Sequence, residues 1–355
     1  MAGIYVHIPF CMSRCIYCDF FSTTRISIVD QYVDALTAES SRRCDSFHSI
    51  SSPPYDTLYI GGGTPSVMRL SQVERLMSSL THDYPLKKDA EITIECNPED
   101  VDKDYIYGLR SIGFNRLSLG VQTFDDNRLN LLCRRHNSFK AIKAVEDSRS
   151  AGFDNISIDL IYGFPDETLE SWEEDVIQAL SLGISHISAY SLMLESGTRL
   201  TKMIDDGKLM AASEEDSLRM YETLVNQLTS HGFLHYEISN FCKPGCSSRH
   251  NQSYWHGVPY LGLGAGAHSY DGKRIRRWNV SDLDKYLQKE DYFESEELSD
   301  RDLYNEYVMT RLRTSYGINL SEMKEVFSNE YTNYFEDGIK KFISNGEIIN
   351  EDGKE

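Results

Sequence analysis

Cys11-Met12-Ser13-Arg14-Cys15-Ile16-Tyr17-Cys18 stands shortly after the apolar run Ile4-Tyr5-Val6-His7-Ile8. Three thiols fall within eight residues at a C-x3-C-x2-C spacing. Disulfides are disfavoured: the chain shows no secretory signal, and cysteine clusters of reducing compartments more often hold metal. A closed structural zinc site needs four ligands, usually as two separated pairs. Here three cysteines share one loop, and Phe20 stands where a fourth thiol would be sought. A four-iron cluster is normally held by four thiolates. Held by three, it keeps one iron open beside a chelating ligand and becomes a chemical site. Three unconnected buried cysteines are the plain alternative.

The chain has 355 residues, 40% of them hydrophobic, enough for one large domain and a small one. No apolar run approaches the roughly 20 residues of a membrane span. The apolar start is short and lacks the charged flank of a signal peptide, so a cytoplasmic protein is expected. A formal net charge of −19 argues against nucleic acid as the main partner. Cys44, Cys96, Cys133, Cys242 and Cys246 are expected to be free thiols.

Strand and helix patterns alternate through the first two thirds. Gly3 to Ile8, Thr57 to Ile60, Glu91 to Glu95, Arg116 to Gly120, Ile156 to Leu160 and His186 to Ser191 read as strands. Between them, apolar residues recur at helical spacing, as in Val73, Leu76, Met77 and Leu80. Six such units imply a parallel sheet with right-handed crossovers, either doubly wound or a partial β/α barrel. Glu95, Gln122 and Asp159 lie at strand C-terminal ends, as do the cysteine loop and Gly61-Gly62-Gly63-Thr64-Pro65. Ligands bind at that rim in parallel barrels, which favours the barrel.

After Ser191 the pattern changes. A helix around Leu224 and a strand from Phe233 to Ile238 precede Arg249-His250-Asn251-Gln252-Ser253-Tyr254-Trp255. The Gly-rich stretch Leu261 to His268 and the basic run Lys273-Arg274-Ile275-Arg276-Arg277 follow. Ser281 to Asp300 carries eight acidic and two basic residues and is taken as a boundary. Two helices and a short strand, Glu347-Ile348-Ile349, suggest a winged-helix-like end.

The cysteine octet, with His7-Ile8-Pro9-Phe10 before it and Asp19-Phe20 after, resembles the radical S-adenosylmethionine (SAM) superfamily. There the open iron is chelated by the amino and carboxylate groups of SAM, whose reductive cleavage yields a 5′-deoxyadenosyl radical. The resemblance implies a [4Fe-4S] cluster on Cys11, Cys15 and Cys18. It implies a SAM site drawing on Tyr5, Tyr17, Gly62, Gly63, Thr64, Glu95, Gln122, Arg134 and Asp159.

Ser118-Leu119-Gly120-Val121-Gln122-Thr123-Phe124 and Ile158-Asp159-Leu160-Ile161-Tyr162-Gly163-Phe164-Pro165 are similar to the oxygen-independent coproporphyrinogen III oxidase family. One branch is an oxidase, with a long N-terminal extension and a fourth cysteine two residues after the third. The other is a heme chaperone, with a short N-terminus and a His-Asn-x-x-Tyr-Trp motif. Ten residues before Cys11, Phe20, and His250 to Trp255 point to the chaperone. The fold implied is a partial (β/α)6 barrel over about 1–192, with an extension over about 193–280 and a small helical domain at 281–355. The partners implied are heme, an unidentified heme-acceptor protein and an electron donor, with membrane contact only through the acceptor. His250 reads either as a hydrogen-bonded turn residue or as an axial ligand to heme iron. Lys273, Arg274, Arg276 and Arg277 read as a solvated strand face or as partners of heme propionates. Cys242 and Cys246 carry no assigned role. His7, His136 and His268 match family positions without a readable role.

Overall fold

Gly3–Ile8 (β1), Tyr55–Gly62 (β2), Leu86–Cys96 (β3), Arg116–Gln122 (β4), Asn155–Tyr162 (β5) and His186–Ser191 (β6) pair in parallel, each with its successor. The structure, a computed structural model, describes residues 2–289 and 292–349. Helices Val29–Ile50 (α1), Leu70–Asp83 (α2), Lys103–Ile112 (α3), Asp126–Leu131 (α4), Ser138–Ser150 (α5) and Leu169–Ser181 (α6) connect them. Their caps follow the local sequence. Asp102, Asp125, Asn137 and Thr168 each accept backbone N–H groups of the first turn.

Strand order settles the topology. The six strands lie in sequential order, whereas a doubly wound sheet reverses direction around its first strand. Sequential order with every crossover on one side is what curls a parallel sheet into a barrel. Its strand centres are buried; in β2 seven of eight residues are buried, as expected of a parallel sheet covered by helices.

The Gly-rich stretch holds a strand that its composition concealed. Tyr260–Leu263 (β9) pairs in parallel with β1, on the side opposite β2. Gly262 interrupts its apolar pattern for a steric reason, since a Cβ there would stand 2.0 Å from the His268 carbonyl oxygen. Beyond β9 come His268–Tyr270 (β10), Ile275–Asn279 (β11) and Phe293–Glu297 (β12), antiparallel in turn. Leu234–Glu237 (β7) and Asn240–Cys242 (β8) extend the other edge beyond β6. The short helix Arg199–Asp205 (α7) was not legible as a periodic segment; Glu214–Ser230 (α8) was.

The acidic stretch taken as a boundary is bound to the sheet. Its helix Leu283–Gln288 (α10) docks on α1 through Glu39, a fully buried carboxylate. Glu39 accepts from Tyr286 Oη at 2.7 Å, Asn279 Nδ2 at 2.8 Å and the Gly264 amide at 2.9 Å, and pairs with Arg43 at 3.1 Å. Four donors satisfy a charge that burial would otherwise penalise. After β12, helices Asp300–Leu312 (α11), Leu320–Val326 (α12) and Asn329–Ser344 (α13) close around Tyr304, Met323 and Phe335. Glu347, Ile348 and Ile349 form no strand; the amides of Glu347 and Ile348 bond back to the Phe342 carbonyl in a helix-terminal turn. Among the described residues, no helix is long and apolar enough to cross a membrane.

Candidate functional site

A cavity of about 450 Å³ opens at the C-terminal ends of the parallel strands. The cysteine loop forms one wall. Tyr5, Gly62, Gly63, Glu95, Gln122 and Asp159 supply others from β1 to β5 and their loops. Tyr17, Thr64 and Arg134 also line it. Apart from Gly61, the residues grouped from the sequence at this rim therefore face one volume.

The loop is held open-handed, its sulfurs spread. Among the described residues, the three metal-ligating atoms that crowd within 4.8 Å of one another belong to Cys44, Asp45 and His48 on α1, not to Cys11, Cys15 and Cys18. One zinc ion with Zn–S bonds of about 2.3 Å would draw its thiolates to roughly 3.8 Å apart. The three sulfurs are not drawn together to that extent here. Thr64 Oγ1 donates to Cys11 Sγ at 3.4 Å, and Arg134 Nη1 to Cys15 Sγ at 3.5 Å. Burial pushes the thiols of Cys11 and Cys18 up, so metal binding must supply the drive to deprotonate them. The loop rests on its own small core of Ile16, Leu132, Ile161, Phe164 and Leu200.

The glycine turn reaches the loop because it has no side chains. A Cβ on Gly63 would stand 2.9 Å from the Phe10 carbonyl oxygen and 3.0 Å from Cys11 Sγ. The Gly62 amide donates to Glu95 Oε2 at 3.0 Å, and Tyr59 Oη to Glu95 Oε1 at 2.7 Å. Burial raises the Glu95 carboxyl to about 7 against these two hydrogen bonds, and the charge of Asp159 raises it further. Burial also raises Asp159, which accepts from Ser118 Oγ at 3.2 Å. Two costly carboxylates face one cavity, an arrangement that answers to a cationic ligand.

Arg134 clamps the rim. It donates to Asn97 Oδ1 at 2.8 Å and the Gly120 carbonyl at 2.6 Å, while its buried Nε has no partner. The preceding residue, Cys133, follows α4 with a φ of 62°, a left-handed position where glycine is usual. Gln122 has a φ of 72° at a register shift between β4 and β5; strain of this kind concentrates at functional sites. Tyr59 and Asn97 escaped sequence reading. Tyr59 looks like any strand residue until its register opposite Tyr5 is known, and Asn97 looks like a strand stop.

His250 is not brought to this cavity. It is 1% exposed, with Nδ1 bonded to Thr57 Oγ1 at 2.8 Å and Nε2 to Tyr254 Oη at 2.9 Å. Its ring stacks on Tyr59 at 5.1 Å. With both nitrogens engaged and the ring buried, His250 stands here as a hydrogen-bonded core residue. Helix Arg249–Trp255 (α9) is instead a plug. Glu91 of β3 accepts the amides of Arg249 and His250, both at 3.0 Å. The basic run is also largely spoken for: Arg274 pairs with Asp300, Arg276 with Glu306 at 2.7 Å, and Arg277 lies 3.7 Å over the Phe293 ring. Cys242 is buried in β8. His7 bonds Tyr5 Oη at 3.0 Å, His136 pairs with Glu99 at 2.9 Å, and His268 stacks on Trp278.

The plug makes a stability prediction. His250→Ala removes a packed ring and orphans Thr57, so it should cost about 2–4 kcal/mol in urea unfolding; parental stability in the variant would contradict the buried geometry. Burial holds His250 down at about 3 and His7 at about 4. The unfolded chain protonates histidine near 6.5 and the folded chain does not, so these two contributions fade as pH falls below 6.5.

Residues 5–178 match the radical SAM superfamily, and residues 298–354 match the HemN C-terminal domain. The chain is 34% identical over 357 residues to the heme chaperone HemW of Bacillus subtilis, covering 99% of this chain and 93% of that relative. It is 35% identical to the heme chaperone HemW of Lactococcus lactis, covering 98% and 90%. The solved structure of coproporphyrinogen III oxidase (HemN) from Escherichia coli, a radical SAM enzyme, superposes with a TM-score of 0.84 at 26% identity, covering 98% of this chain and 83% of that one. A sequential parallel barrel, a three-cysteine loop at its rim and full-length likeness to these relatives place the chain in the radical SAM superfamily and, within it, in the HemW family.

Proposed function

We propose that this protein is a heme chaperone of the radical SAM type, which binds a [4Fe-4S] cluster, SAM and heme and passes heme to an acceptor protein. The observation that carries the reading is likeness to HemW proteins along almost the whole chain, 99% of it for the Bacillus subtilis relative. The cavity supports it. Cys11, Cys15 and Cys18 would hold the cluster, which when bound supplies an open iron for the amino and carboxylate groups of SAM and an electron for its cleavage.

The residues of the chain then have distinct tasks. Glu95, fixed by Tyr59 and the Gly62 amide, presents a carboxylate to the cationic ligand. Asp159 and Gln122 offer acceptors and an amide across the cavity from the glycine turn. Tyr5 and Tyr17 wall the site with rings. Arg134 ties the cysteine loop to the ends of β3 and β4, so that cluster and SAM sit on one frame. Residues 1–280 are read as the radical SAM domain and residues 281–355 as a small C-terminal domain. An electron donor must reach the cysteine loop. Nucleic acid has no part, and a membrane enters only through the acceptor.

The test is paired and anaerobic. Reconstituted protein should give a saturable Soret change on heme titration and form no protoporphyrinogen from coproporphyrinogen III. Turnover of coproporphyrinogen by the pure protein would replace the chaperone with an oxidase. The absence of a saturable heme signal would remove the heme reading altogether.

A further inference from the structure

Two groups proposed from sequence for heme are already occupied: His250 is sealed inside the barrel, and the arginines of β11 are paired or packed. The mouth of the SAM cavity offers what they lack. Met12 is 51% exposed, Phe20 66% and Met193 69%, and all three line the cavity. Large apolar side chains left in water together at one rim mark a binding surface. Beside them a second hollow of about 400 Å³ shares Arg14, Cys15, Cys18 and Asp19 with the first and is closed by Arg199.

The charges at this rim are also unspent. The chain carries a net charge of −19, yet neither Arg14 nor Arg199 has a carboxylate within 4.0 Å among the described residues. Arg14 Nη2 reaches only the Phe20 carbonyl, at 3.4 Å, and Arg199 Nη1 only Cys133 Sγ, at 3.9 Å. Asp19 and Glu195 line the same region without capturing either guanidinium. Exposed apolar side chains beside Arg14, which lines both hollows, with Arg199 lining the second, complement an apolar ligand that carries two carboxylates.

We infer that heme docks at this rim, its macrocycle on Met12, Phe20 and Met193 and its two propionates on Arg14 and Arg199. The inference rests on the heme-chaperone reading above. It separates recognition of heme from the His250 motif and sets the bound heme against the cysteine loop. Arginine matches carboxylate through paired N–H donors, and soft sulfur atoms of the kind that ligate heme iron stand in Met12, Met193 and Cys133.

The experiment titrates hemin into the cluster-loaded protein and into Arg14→Glu/Arg199→Glu, with SAM binding and iron content as controls of integrity. The double variant should bind hemin about tenfold or more weakly, since two favourable charge pairs become repulsive. Heme dimethyl ester, whose propionates are blocked, should bind parent and variant alike. Arg199→Glu alone, outside the cysteine loop, should show a smaller loss in the same direction and keeps the test valid if Arg14→Glu disturbs the cluster. Lys273→Ala should bind as the parent does. If the parent binds hemin and the arginine variants bind it equally well, this docking site is wrong and the chaperone reading stands. If the parent itself does not bind hemin, both fall.

Discussion

Replacing any one of Cys11, Cys15 or Cys18 with alanine should abolish iron binding. Anaerobic reconstitution of the parent should yield about four irons per chain, and each variant should fall to a small fraction of that. The expectation is severe because the loop has no spare ligand. It carries three thiols and no fourth, and Phe20 points its ring to solvent at 66% exposure rather than offering a donor. Of the other thiols lining the cavity, Cys96 is buried in β3, and Cys133 belongs to the strained turn after α4 and packs beside Leu132. Stoichiometric zinc with no iron uptake in the parent would defeat the assignment. The proteins should remain folded, since the strands and the Glu39 network that hold the barrel do not pass through these sulfurs.

The second large effect concerns Glu95. Glu95→Gln should weaken SAM binding about ten- to hundredfold, the worth of a charge-assisted contact in a partly desolvated site, while leaving iron content unchanged. The pH profile distinguishes a direct role from general damage. Burial raises this carboxyl to about 7 in the ligand-free protein. Binding of a cation requires the ionised form, so SAM affinity should fall about tenfold between pH 8 and pH 6. Glu95→Gln should lose that slope. The sign for stability is the reverse. The folded state keeps its proton to higher pH than the unfolded chain, so ligand-free stability declines as pH rises from 4.5 towards 7. Equal SAM affinity in parent and variant, or an unchanged slope, would remove Glu95 from the site.

Local sequence determined much of this protein. Six strands and the helices between them were legible because β/α periodicity is a property of short windows, and strand-end residues announce a rim once the strands are parallel. The cysteine spacing was legible because all three ligands share one loop. His250 shows where that kind of reading stops. The motif from His250 to Trp255 is conspicuous in sequence, but its burial depends on Thr57, Tyr59 and Glu91, which lie far away along the chain. Arg274 and Arg276 likewise look free until β12 and α11 bring Asp300 against the first and Glu296 and Glu306 against the second.

By itself, then, the sequence determined the parallel β/α architecture, the cysteine loop and the carboxylates at the rim, since each is set by residues close in the chain. Only the tertiary structure decided the strand order that makes a barrel, the hidden strand β9 beside β1, and which polar groups are satisfied and which remain free. Those are outcomes of contacts between distant segments. A side chain is available to a ligand only if no partner from elsewhere in the fold has reached it first.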